Sequence, residues 1–167
     1  MKIISMLLAL LALAGTCFAQ SIPVEVKQAI VASVQRSNAP TIDDPKGGHH
    51  EEGGMWGIST DGKLLIIPVI AGAAHLICSA EPTTLDLGKA INPALQTNLA
   101  SIQGEWHVHP SGISEDGRCD FVQQPSATDI SVAYADTNIV IGARDKIVYF
   151  YNSKGVTSKL KLKEFLK

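Results

Sequence analysis

Two histidines, His107 and His109, stand one residue apart in the run Glu105-Trp106-His107-Val108-His109-Pro110-Ser111-Gly112. In an extended strand alternate side chains share a face, so both imidazoles project together while Trp106 and Val108 turn toward the core. Two imidazoles on one face are half of a metal site. Neutral imidazole suits zinc and similar divalent ions, and a catalytic zinc takes three protein ligands and keeps a fourth position for water. The run Pro125-Ser126-Ala127-Thr128-Asp129 offers the third ligand. Ser126 reads as a helix N-cap ahead of the apolar-rich Ile130, Val132, Ala133 and Tyr134, which places Asp129 in the first turn, where the helix dipole favours a carboxylate. The competing reading makes Ser126 and Asp129 a capping box only and leaves the histidines as solvated strand residues.

These residues carry a resemblance. His107-x-His109-Pro110 followed by Ser126-x-x-Asp129, with Glu51-Glu52-Gly53-Gly54 upstream, resembles the JAMM motif of the JAB/MPN metallopeptidase family over roughly Glu51 to the end of the chain. The chain departs from that pattern between His109 and Ser126, where residues 110–125 intervene and the family's usual spacer is less than half as long. The surplus, about 113–123, reads as a loop inserted beside the metal. The resemblance implies an MPN/JAB-like α/β (α+β) fold, a central mixed sheet flanked by helices in a cytidine deaminase-like layout. It also implies one zinc ion held by His107, His109 and Asp129, with Glu51 as general base because the Glu-x-Gly-Gly frame falls there. Glu52 is the alternative base, since strand alternation lets only one of the two face the metal. Ser126 would stabilise the tetrahedral oxyanion. Glu105 reads as a solvated acid, with orientation of an imidazole as its other role. His49 and His50, on a Gly-rich loop, read as exposed polar residues, with a second metal site as the alternative, and His75 as a partly buried, satisfied histidine.

The elements that must position these groups follow in order. Lys2, the apolar run Ile3–Leu13 and Cys17-Phe18-Ala19 read as a signal peptide spanning 1–19, too short for a comfortable membrane span. Residues 20–167 would then form one domain, secreted or periplasmic, with no stable membrane anchor after cleavage. Removal of Lys2 changes the formal charge of −2 to −3, which gives no electrostatic case for nucleic acid; Lys159, Lys161, Lys163 and Lys167, at alternate positions, read as one face of a terminal strand or a solvated end. Cys78 and Cys119, the pair left after Cys17, are candidates for a disulfide that pins the insertion to the core. Val26, Ile30, Val31 and Val34 predict an amphipathic helix from Val24 to about Ser37, and Asn38–His50 a loop. Met55–Ser59 and Lys63–Ile70 predict a hairpin turning at Thr60-Asp61-Gly62, and Ala73–Ala80 a third strand. Leu85–Ile102 predicts a helix that Asn92-Pro93 kinks or divides. Gln103–His109 is the metal-bearing strand, Ser126–Ala135 a short helix, and Asn138–Arg144 with Lys146–Asn152 a hairpin turning at Asp145. The function expected is hydrolysis of an amide in a peptide or protein by a secreted zinc metallopeptidase or isopeptidase. The alternatives are a catalytically silent MPN-like binding module and a zinc amidase acting on cell-wall peptide.

Overall fold

The computed structural model describes residues 22–69, 72, 74, 98–113, 117 and 120–167. The expected signal peptide, the third strand, most of the Leu85–Ile102 helix, His75, Cys78 and Cys119 lie outside these residues. Among them, helix α1 (Val24–Asn38) precedes strands β1 (Glu52–Ser59), β2 (Leu64–Pro68) and β3 (Leu99–His109). Helix α2 (Ala127–Val132), strands β4 (Thr137–Gly142), β5 (Ile147–Asn152) and β6 (Gly155–Lys161), and helix α3 (Leu162–Phe165) complete the chain. The six strands form one mixed sheet in the order β2-β1-β3-β4-β5-β6. Only β3 and β4 run parallel, at its centre. The fold is thus mixed α/β, a six-stranded sheet flanked by helices. No helix among the described residues is long and apolar enough to cross a membrane.

The β1–β2 hairpin turns where the sequence places it, with Gly62 at φ 81° and its N–H donating to the Ser59 carbonyl at 2.9 Å. The β4–β5 hairpin also turns around Asp145, with Lys146 in the left-handed region at φ 59°. One expectation is corrected: Leu99–Ile102 belong to β3, pairing with the end of β1, and not to a helix. Leu87, Ile91, Leu95 and Leu99 do repeat every four residues, but cross-strand pairing decides the last of them.

The two faces of the sheet differ in chemistry. Trp56, Trp106, Val108, Ile139, Ile141, Val148 and Phe150 pack with Val26 and Ile30 of α1 and Phe165 of α3 into the main core. The helical spacing of Val26, Ile30, Ser33 and Ser37 aims these residues at the sheet, and the two serines serve polar partners there. Ser33 accepts from Trp106 Nε1 at 3.1 Å, and Ser37 donates to the His50 carbonyl at 2.9 Å. The opposite face carries a smaller apolar cluster, Val140, Tyr149 and Tyr151 with Ile130 and Ala133, and α2 covers it.

Candidate metal centre

Strand alternation divides β3 cleanly. Trp106 and Val108 are fully buried in the main core, and Glu105, His107 and His109 occupy the other face. The β3–β4 connection then returns across that face, and α2 begins there with Ser126 as its cap. The capping box is present: Asp129 N–H donates to Ser126 Oγ at 3.2 Å and Ser126 N–H to Asp129 Oδ2 at 2.6 Å. The cap does not compete with a ligand role for Asp129. With the helix start fixed, its carboxylate points back at both imidazoles.

His107 Nε2 and His109 Nε2 lie 3.1 Å apart, Asp129 Oδ1 lies 3.3 Å from the first, and Oδ2 lies 3.5 Å from the second. Asp129 thus turns one carboxylate oxygen toward each imidazole, and one ligand atom from each of the three residues lies within 4.8 Å of the others. The group can therefore hold a metal ion, each residue offering one ligand atom. Both imidazoles turn Nε2 inward; their Nδ1 atoms are buried and have no hydrogen-bond partner among the described residues. The electrostatics agree. Burial works against charge on Asp129, yet the hydrogen bonds to His107 and His109 outweigh it and hold the carboxyl far below its ordinary range. Burial likewise opposes a charged His107, but Asp129, Glu51 and Glu105 together hold its pKa above the usual value. Such a concentration of negative charge around imidazole suits a cation.

Glu51 and Glu52 part company at the start of β1. Glu52 pairs with Val108 in the register and so faces α1, where its Oε2 takes Arg36 Nε at 2.9 Å. Glu51 falls on the metal face, with Oε1 4.0 Å from His109 Nε2. Of the two candidate bases, Glu51 is the one brought to the histidines.

Two sequence expectations are corrected here. Glu105 is not solvated: it is 2% exposed, and Tyr151 donates to its Oε1 at 3.3 Å, while its Oε2 is buried without a hydrogen-bond partner among the described residues. Burial raises its pKa and, with the Glu105 charge, pushes Tyr134 up to about 12. Its place two residues before His107 was the available signal. Nor are His49 and His50 exposed; both are 4% exposed and converge on Asp44, a residue sequence reasoning passed over. The base of the insertion is tied down by Gln123, which donates to the Pro110 carbonyl at 2.9 Å, and by an ion pair of Arg144 with Asp120 at 3.0 Å. Comparison of the chain with protein-family models, with curated proteins and with solved structures gives no match.

Proposed function

We propose that this chain is a zinc-dependent metallopeptidase or isopeptidase of the JAB/MPN type, secreted or periplasmic, that hydrolyses an amide bond in a peptide or protein. One observation carries the reading: His107, His109 and Asp129 converge with one ligand atom each inside 4.8 Å of one another, and Glu51 stands beside them. The mixed sheet, with its parallel β3–β4 pair bridged by the segment that brings Asp129, supports the MPN assignment.

Zinc bound there would supply Lewis acidity, polarising the scissile carbonyl and bringing the pKa of water down toward about 7. The chain's own residues do the rest. Glu51 takes the proton from the attacking water and returns it to the leaving amine, and general acid–base help of this kind contributes roughly 10²–10⁴-fold. Ser126 Oγ accepts from the Asp129 amide, which leaves its hydroxyl proton to donate to the developing oxyanion.

Metal analysis of the purified protein beside its Glu51→Gln and His107→Ala variants tests this. Zinc retained by Glu51→Gln and lost by His107→Ala is the expected result; equal retention by both rejects the assignment. Peptide-library turnover that falls roughly 10²–10⁴-fold in Glu51→Gln would separate an enzyme from a silent binding module.

A further inference from the structure

The loop between α1 and β1 passes through two left-handed glycines, Gly47 at φ 72° and Gly48 at φ 85°, and so folds His49 and His50 back over Asp44. Asp44 is fully buried. Its carboxylate accepts the His49 backbone N–H at 2.9 Å, and meets His49 Nδ1 at 2.8 Å and His50 Nδ1 at 3.1 Å. His50 needs one ring proton for this arrangement, because its Nε2 stands 3.7 Å from Glu52 Oε1, beyond hydrogen-bond reach.

His49 is different. Its Nε2 lies 3.0 Å from the Ile113 carbonyl oxygen, which can only accept. Burial pushes the Asp44 carboxyl up, but its hydrogen bonds with the His49 backbone and both imidazoles outweigh this, so it is ionised and also only accepts. A neutral imidazole carries one N–H and serves one of these acceptors. Making both contacts requires the imidazolium.

The second contact joins functional segments. Ile113 opens the insertion, bridged to Asp120, and lies four residues past His109. Beside it Gly112 N–H donates to the Gly48 carbonyl at 2.7 Å, so close that a Cβ on Gly112 would meet His49 Nε2 at 2.8 Å. We propose that His49 is a proton-dependent pin: as an imidazolium it bridges Asp44 to the Ile113 carbonyl, clamping the base of the insertion onto the loop that delivers Glu51, and on losing a proton it lets Ile113 go. The charge-assisted bond to Asp44 keeps the remaining proton on Nδ1, which sets the Nε2 lone pair against the Ile113 carbonyl. On its own loop Asp44 meets His49 directly and shares its carboxylate with His50, beyond which stand Glu52 of β1 and Arg36 of α1; Lys46 lies on the same loop. From the insertion side it meets the Ile113 carbonyl, Gly112 and the edge of the Phe121 ring, none of which titrates, and Asp120 is paired with Arg144.

Side-chain nitrogen NMR of His49 over a pH series, with amide hydrogen exchange at Gly112 and Ile113 corrected for intrinsic rate, tests the pin. Both ring nitrogens should be protonated at the acid end. As His49 then loses one proton, Nε2 should become the bare nitrogen and protection at Gly112 and Ile113 should fall about tenfold or more, at the same midpoint. In His49→Gln the pH step should be absent. Protection unchanged through the His49 titration, or a single neutral tautomer at every pH where the protein is folded, overturns the proposal. If His49→Gln does not fold, the wild-type series decides alone. Neither zinc nor substrate enters the measurement, so this idea and the hydrolase reading fail separately.

Discussion

At Asp129 one carboxylate faces two imidazoles and caps a helix, and the two tasks need different things from it. Capping needs an acceptor oxygen at the Ser126 N–H; ligation needs the negative charge. Asp129→Asn keeps an acceptor and removes the charge. It is expected to destabilise the metal-free protein, because the charge that His107 and His109 hold ionised is lost, and to weaken zinc by more than the roughly 10–100-fold that loss of an outer-shell partner costs, read by denaturant unfolding and by competition with a chelator. Asp44 poses the opposite case, a fully buried acid whose work is structural. Asp44→Ala would leave two buried imidazoles without their acceptor, and is expected to cost about 3–5 kcal/mol in denaturant unfolding. The pH sign follows from its depressed pKa. The stability it contributes is complete above the unfolded value of about 3.9 and is lost as pH falls through the lower folded value, so an acid-side step in unfolding stability should vanish in Asp44→Asn.

At the scale of elements, β1 and β3 are joined by two reciprocal glycine–tryptophan pairs. Gly54 lies opposite Trp106 and Gly104 opposite Trp56, with the two indoles 6.1 Å apart. A Cβ on Gly104 would meet the Trp56 ring at 2.1 Å, and one on Gly54 the Trp106 ring at 2.4 Å. Gly104→Ala is therefore expected to destabilise by about 1–3 kcal/mol through overpacking, visible as a lower urea midpoint at unchanged slope. Much of this level was legible. The helix of Val24–Asn38, the β1–β2 and β4–β5 hairpins and the helix after Ser126 follow from local periodicity, turn residues and a cap, all set within a few residues of one another, whereas the β5–β6 hairpin was not foreseen. What escaped was decided at long range. Glu105 is buried on the central strand of the sheet with Tyr151 of β5 donating to it, and Leu99 is a strand residue because Ser59 pairs with it. His49 and His50 are interior because two left-handed glycines return them to Asp44, a conformation that residue types suggest only as a turn.

For the molecule as a whole, the proposed ligands span the β3–β4 crossover, so an ion bound to them closes the part of the sheet that the thinner apolar cluster covers. Zinc at about 100 times its Kd should add about 2.7 kcal/mol to folding. That corresponds to roughly 5–10 °C in Tm for a chain of this size, and His107→Ala should abolish the rise in a calorimetric scan. The three residues that could hold an ion were readable because alternation and a helix cap fix them locally; which of Glu51 and Glu52 lies beside them needed the sheet.

That choice is enforced from the far side of the sheet. Sliding β1 by a single residue along β3 would exchange the two acids, presenting Glu52 to the histidines and driving Glu51 toward Arg36. It would also turn Trp56 out of the apolar layer that it shares with Trp106. The interlocked rings thus act as a ratchet tooth: a purely greasy contact on one face of the sheet selects which of two adjacent and chemically equal carboxylates arrives beside the paired imidazoles on the other.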